Sequence, residues 1–354
     1  MATIESSSRD PDRTRPARIK DVAALAGVSL KTVTNVVHQR SNVRDSTRAR
    51  VLAAIEELDY RPSLAGRQLQ SGRSTMITLA LPRIDEPYLG ALAHAMIAAA
   101  SPRGYTVVMD ETGGVPEREE QAAAGYPGHG IDGVIFSPFA IDQEAMAAMS
   151  RRTPMVLLAA PLPGSHADYV AIDNHASAAE VVDHLHGTGR RRIGYVGRTP
   201  DRPTAVGEIR MVGVRDRLAD HGLELAERRV FTTGRFTREM GEQAISDAGE
   251  DLLGCDAIVC CSDLLAIGVI RGLKRAGVRV PDDIAVVGWD NIIDTEYVSP
   301  TVTSVAPDLE ALAEQTIEAL LERIEGNREP GRNYVVPHRL MIRESTGQPS
   351  DRPN

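Results

Sequence analysis

Apolar residues recur at helical spacing in three short segments near the start of the chain, and the pattern then changes to apolar runs of strand length. Residues 1–17 are polar and rich in Ser, Pro and charge, so a disordered tail is expected there. A first helix is predicted over residues 19–26, with Val22, Leu25 and Ala26 on one face and Gly27 ending it. Ser29 can cap a second helix over 30–38 by accepting a bond from an unpaired backbone N–H. A third is predicted over 45–58, where Val51, Ile55 and Leu58 keep the 3.6-residue period and Asp45 suits the positive end of the dipole. Pro62 stops further continuation. A short helical segment, 64–70, leads into the linker signal Ser71-Gly72.

Beyond Arg73, candidate strands at 76–81, 105–109, 133–136, 155–158, 169–172, 192–196, 257–260 and 284–288 alternate with helical stretches such as 89–100, 177–186 and 263–276. Such alternation predicts an α/β body of parallel sheets covered by helices on both faces, and the length suits two sheets better than one. Ligands of open parallel sheets sit beyond the carboxyl ends of strands. The pocket candidates are therefore residues 85–88, Asp110, Ser137, Asp173, Ser262 and Asp290.

Net charge is −9, unpromising for a nucleic-acid binder until its distribution is seen. Residues 1–75 carry a balance of +5 and the remainder −14, so a basic head sits on an acidic body. No apolar run reaches the ~18 residues of a membrane span. The polar N-terminus lacks the apolar stretch of a secretory signal, and a cytoplasmic protein is expected. Cys255, Cys260 and Cys261 are too few and too crowded to suggest a disulfide framework or a zinc site.

In the head, Val22, Leu25, Val28, Val33 and Val37 have the spacing to bury together, which leaves Leu30, Lys31, Thr34, Asn35 and His38 on other faces of the second helix. Asn and Lys can bond base edges, and Leu and Thr methyls can touch a thymine methyl. Two short helices joined by a Gly-containing turn suit a helix-turn-helix, although small amphipathic helices alone are equally compatible with a protein-interaction module.

The stretch Ile19-Lys-Asp-Val-Ala-Ala-Leu-Ala-Gly-Val-Ser-Leu-Lys-Thr-Val-Thr-Asn-Val-Val-His38 resembles the signature of the lactose-repressor (LacI/GalR) family of regulators. Leu58-Asp-Tyr-Arg-Pro62, Arg67-Gln-Leu69, Phe136-Ser-Pro138, Ala171-Ile-Asp-Asn174, Arg210-Met-Val-Gly213, Ser262-Asp-Leu-Leu-Ala266 and Gly288-Trp-Asp290 resemble later landmarks in family order, over about residues 18–345. The resemblance implies a helix-turn-helix at 18–62, a hinge at 63–74 and a two-lobed sensor body of the periplasmic-binding-protein type at 75–346, followed by a tail at 347–354. It further implies an N-lobe of about 75–173 and 309–336 and a C-lobe of about 174–308 and 337–346.

On that reading the DNA contacts come from Ser29, Leu30, Lys31, Thr32, Thr34, Asn35 and His38. Leu69 matches a hinge residue that wedges into the minor groove at the operator centre, where bending is read as energy. Gly66 replaces the family's usual Ala and weakens the free hinge helix, at a cost of ~1 kcal/mol. Arg44 stands where a capping Ser or Thr is frequent. For the effector, Arg210 and Asp290 match positions that bond hydroxyls, and Phe236 matches an aromatic against which a sugar ring stacks; Tyr88, Ser137 and Ser262 complete the set. Ala159 and Ser262 depart from the carboxylate and Asn of some sugar-sensing relatives. Asp263 is expected to cap a helix, and Trp289 to pack, its side chain opposite to that of Asp290.

Gly128-His-Gly-Ile-Asp-Gly133 fits G-x-G-x-x-G but precedes its strand, so it reads as a turn. His184 and His186 are two apart on a helix and do not face one ligand together. The expected protein is a regulator without enzymatic activity, cofactor or metal. Its partners are a pseudo-palindromic double-stranded operator DNA, a carbohydrate-like small molecule and a second copy of itself, since twofold symmetry reads a palindrome and the C-terminal residues show no leucine heptad. The rival class is a solute-binding or enzymatic α/β protein.

Overall fold

A computed structural model describes residues 17–37, 43–60, 73–158, 165–199, 206–248, 251 and 254–347. His38, Gly66, Leu69 and Ala159, named above, lie outside the described residues. The chain forms two compact units, one up to Ser74 and one from Thr75 onward.

In the first unit three helices, α1 (Ile19–Ala26), α2 (Leu30–Val37) and α3 (Asp45–Glu57), enclose a small core. Val22, Ala26, Val33, Val36, Val51 and Ala54 fill it. Leu25 departs from expectation: it is 46% exposed. Val36, rather than Val37, is the buried member of its pair, and Val28 and Val37 only lean on the core. Gly27 closes α1 at φ +62, a left-handed turn that lets its N–H reach back to the carbonyls of Ala23 and Ala24. Arg44, before α3, provides no side-chain cap.

The second unit contains β1 (Met76–Leu81), α4 (Pro87–Ala100), β2 (Thr106–Glu111), α5 (Pro116–Ala123), β3 (Gly133–Phe136), α6 (Gln143–Ser150), β4 (Met155–Leu158) and β5 (Asp168–Ile172). It continues with α7 (Asn174–Gly187), β6 (Ile193–Arg198), α8 (Val206–Asp220), β7 (Val230–Thr232), α9 (Arg238–Ala248), β8 (Ala257–Cys260), α10 (Asp263–Arg275), β9 (Ala285–Trp289) and α11 (Asp294–Tyr297). Last come β10 (Thr303–Pro307), α12 (Leu309–Ile324), β11 (Asn333–Val336) and β12 (His338–Met341). Two six-stranded sheets result, ordered β11-β5-β4-β3-β1-β2 and β12-β10-β9-β8-β6-β7. Among the described residues every pairing is parallel except β10 with β12. That exception follows from connectivity: Pro337 alone separates β11 from β12, so the chain enters the second sheet against the direction of its neighbours.

The chain thus passes between the sheets three times, at Asp173, Asp308 and Pro337. Asp173 and Asp308 cap the helices that follow, accepting bonds from the N–H groups of Ala176 (2.8 Å) and Ala311 (3.0 Å). The Asp308 N–H donates to the Pro337 carbonyl at 3.0 Å, tying two crossings together. Strands buried on both faces explain the unbroken apolar runs GVIF, MVLL and AIVC. No helix among the described residues is long and apolar enough to cross a membrane.

Candidate functional site

On the head, Ser29 caps α2: its Oγ accepts from the Thr32 N–H at 3.2 Å and lies 2.9 Å from the Thr32 hydroxyl. Ser29, Leu30 and Lys31 are exposed, Leu30 to 50%. Thr32, Thr34 and Asn35 are half-buried, so Asn35 is less open than the helical pattern suggested.

In the body a cavity of about 930 Å³ lies where the carboxyl ends of strands from both sheets converge. Its walls include all six proposed effector residues, Tyr88, Ser137, Arg210, Phe236, Ser262 and Asp290. Ser137 follows β3, Ser262 follows β8 and Asp290 follows β9, each delivered by a strand end.

Arg210, on α8, is 6% exposed and firmly held. Its Nε donates to Asn174 Oδ1 at 2.8 Å and its Nη1 to the Cys261 carbonyl at 2.5 Å. Nη2 stands 3.8 Å from Asp290 Oδ1. Asp290 occupies a left-handed turn at φ 100, fixed by its N–H to the Val305 carbonyl at 2.9 Å. Burial pushes its carboxyl up to about 6, against the opposing pull of Arg210. Burial likewise drives the Tyr88 phenol far above its ordinary range, so it acts as a neutral hydroxyl. Trp289 is fully buried, packed as expected.

Two expectations fail locally. Asp263 is not a helix cap; Ser262 is, accepting from the Leu265 N–H at 3.3 Å. Asp263 instead lies wholly buried and accepts from the Ile292 N–H at 2.9 Å, bracing the loop that carries Asp290. Its carboxyl is pushed well above the usual range by burial and then by the charge of Asp290. Asp110 and Asp173 are also not in the cavity wall: Asp110 accepts from the Tyr126 hydroxyl at 2.7 Å, and Asp173 caps α7. The strand β2 runs to Glu111, two residues beyond its predicted end, so Glu111 takes the place expected of Asp110. Asn174, Arg83, Phe139 and Arg235 also line the cavity and went unpredicted. Asn174 sits directly after a strand-end residue already singled out; the others stand on loops with no such signal.

Outside the cavity, Gly128 and Gly130 take positive φ in the turn before β3, and the dinucleotide motif is a turn as expected. His184 bonds the Thr346 hydroxyl at 2.9 Å, whereas His186 stacks on His221 with ring centroids 4.0 Å apart. The three cysteines are buried thiols. No metal-binding cluster occurs among the described residues.

Comparison with known proteins agrees with this arrangement. Residues 18–63 match the bacterial regulatory proteins of the lacI family, and 182–346 match the periplasmic binding protein-like domain. The HTH-type transcriptional regulator CelR of Thermobifida fusca is 31% identical over 94% of this chain and 99% of its own. A solved complex of transcriptional regulator CelR with cellobiose shares 30% identity, covers 93% of this chain and 99% of its own, and superposes with a TM-score of 0.68. The lac repressor dimer bound to operator and the anti-inducer ONPF, 24% identical over 94% of this chain and 99% of its own, shares the fold at a TM-score of 0.83. The solute-binding or enzymatic alternative gives way: the chain belongs to the lacI family of bacterial regulatory proteins and is a helix-turn-helix transcriptional regulator.

Proposed function

We propose that this regulator is a cytoplasmic homodimeric repressor whose operator affinity is set by a neutral carbohydrate held between the two lobes of its body. The single observation that carries the sugar reading is the facing pair Arg210 and Asp290, 3.8 Å apart in a cavity that also presents the Phe236 ring. A guanidinium and a carboxylate at that separation can donate to and accept from adjacent hydroxyls, while a ring face suits the C–H surface of a sugar. About 930 Å³ falls within the ~300–1,000 Å³ typical of ligand pockets. Its lining carries five carboxylates against three guanidiniums among the described residues, which disfavours an anionic ligand such as a sugar phosphate. The cellobiose complex of a 30% identical relative supports the same class.

In the head, Ser29 at the cap of α2 and Leu30, Lys31, Thr32, Thr34 and Asn35 on the helix would enter the major groove, with one half-site per protomer and twofold symmetry matching a palindrome. His38 and Leu69 join this proposal from the resemblance alone. Ligand and DNA are coupled through the free energy of lobe arrangement, so each must alter the affinity of the other by the same factor. Fluorescence anisotropy on promoter fragments of adjacent genes, titrated with cellobiose and other neutral saccharides, tests this reading. Specific binding that some saccharide shifts is the expected result. Specific binding that responds only to charged metabolites would overturn the sugar assignment.

A further inference from the structure

The loop that carries Asp290 runs from the end of β9 to Val302, just before β10, and one guanidinium reaches its beginning, its middle and its end. Arg343 follows β12, the strand that enters the second sheet after the passage at Pro337. Its Nη2 donates to Asn291 Oδ1 at 2.8 Å and to Glu296 Oε1 at 2.9 Å, and its Nη1 donates to the Val302 carbonyl at 2.9 Å. Its own backbone N–H donates to the Thr303 hydroxyl oxygen at 2.8 Å, so the root of the side chain is fixed to β10. The side chain is only 11% exposed. Asp290 and Asn291 are consecutive non-glycine residues at φ 100 and φ 50. Their backbone is held by three bonds: the Asp290 N–H donates to the Val305 carbonyl at 2.9 Å, the Asn291 N–H to Ser304 Oγ at 3.0 Å and the Ile292 N–H to Asp263 Oδ2 at 2.9 Å. Asp290 lines the cavity, whereas Asn291 and Arg343 do not.

Two successive left-handed residues other than glycine are costly, and such a turn persists only where its surroundings over-determine it. The three amide bonds hold the backbone, and Arg343 adds a grip on the Asn291 side chain. A nearly buried guanidinium suits that task, because its planar fork has fixed donor directions and ties three points of one loop at set distances. The arm to the exposed Glu296 contributes little. The arms to Asn291 and Val302, a charged donor on enclosed neutral acceptors, are the ones that fix position. We propose that Arg343 is a positioning residue of the effector site, keeping the turn in which Asp290 faces Arg210. This rests on the reading of the cleft as the effector site and extends it to a residue outside the cavity wall. Ligand hydroxyls meet Asp290, and Asp290 stands where they need it only while Arg343 holds its neighbour.

The test measures cellobiose affinity by calorimetry on wild type, Arg343→Met, Asp290→Asn and the double variant. Methionine keeps much of the apolar stem and removes every donor. Arg343→Met should lose about tenfold, as for one hydrogen bond to a charged group. In the Asp290→Asn background the same change should cost less than about twofold, because the ligand contact it serves is already gone. Asn291→Gly reaches the same point from the other side of the bond: glycine accepts the left-handed turn without strain, yet the grip is lost, so its loss should match that of Arg343→Met. The Asp290 carboxyl, followed by carbon NMR without ligand, is raised by burial to about 6 in the wild type. In Arg343→Met and Asn291→Gly it should fall toward the ordinary carboxylate range as the turn opens to water. Equal fractional losses in the two backgrounds, or an Asp290 titration unmoved in Asn291→Gly, would overturn the proposal. If wild type binds no saccharide, the sugar reading fails, and the Asp290 titration alone decides whether Arg343 holds the turn.

Discussion

The guanidinium carbon of Arg210 lies 5.1 Å from the centre of the Trp289 ring, so the chain's single tryptophan forms the floor beneath its most enclosed cleft cation. The contact is a cation–π pair in which the ring face stabilises a charge that burial would otherwise penalise. Tryptophan emission therefore becomes a local reporter. A saccharide that engages Arg210 should shift or quench it, and Arg210→Lys should abolish that response. Lysine cannot make the fork to Asn174 and Cys261, and effector affinity should fall about 10- to 100-fold, as expected for charged hydrogen bonds. An unchanged titration in Arg210→Lys would remove this residue from the site.

Asp290 gives the cleft a pH dependence. With its carboxyl raised to about 6 by burial, it is ionised at neutral pH and protonated in mild acid. A hydroxyl donor on the ligand prefers the carboxylate, so effector affinity should decline as pH falls through about 6, and Asp290→Asn should flatten the profile. The stability linkage runs the other way. The folded state holds this proton more tightly than the unfolded chain, so Asp290 favours folding most below the unfolded value and loses that contribution as pH rises through about 6. Calorimetric binding and melting curves between about pH 5 and 7.5 separate the two slopes.

Within the first sheet, Asp168 is fully buried and held by Arg323, at 2.9 and 2.6 Å, and by Arg332. Burial alone would raise its carboxyl, but the two guanidiniums outweigh it and hold the group below the ordinary range. Arg323→Ala leaves a buried charge with poorer compensation and should cost about 3–5 kcal/mol by denaturant melting. This depressed carboxyl contributes stability above its unfolded value, and that contribution is lost as acid titrates the folded group. The variant should therefore show a shallower loss of stability on acidification than wild type.

On the head, Asn35→Ala should relax base preference at one operator position by about 1–3 kcal/mol if its amide is bidentate to a base. Lys31→Ala, an exposed cation, should weaken binding across sequences and reduce the salt slope. A randomised-operator selection that returns the wild-type consensus for Asn35→Ala would exclude it from base reading.

Much of the architecture was legible because burial on both faces writes continuous apolar runs. The strands 133–136, 155–158 and 257–260 were bounded correctly on that signal. The strands missed, β7, β10, β11 and β12, are short or rich in Ser, Thr, Pro and charge, and their pairing is dictated by long-range connections rather than local pattern. The strand-end rule and the family likeness together reached eight cleft residues, Asp85 and Glu86 among them. They could not correctly place Asp263, because nothing in local spacing announces that a carboxylate will be buried against backbone from a distant loop. Leu25 was misassigned for a related reason: α1 buries its Val22, Ala23 and Ala26 edge, leaving Leu25 just outside.

The three passages of chain at Asp173, Asp308 and Pro337 have a mechanical meaning. One connector would let the two sheets swivel in any direction, and a ligand's closing force would be dissipated among many poses. Three connectors, two of them hydrogen-bonded to one another, behave like a strap hinge: they resist shear and stretch and leave bending as the soft coordinate. The energy of gripping a small molecule is thereby channelled into a single angle. The N-termini of the strands, far from the cleft, then travel along one reproducible arc. Sequence changes at these three points should alter how far the protein opens without altering what it can hold.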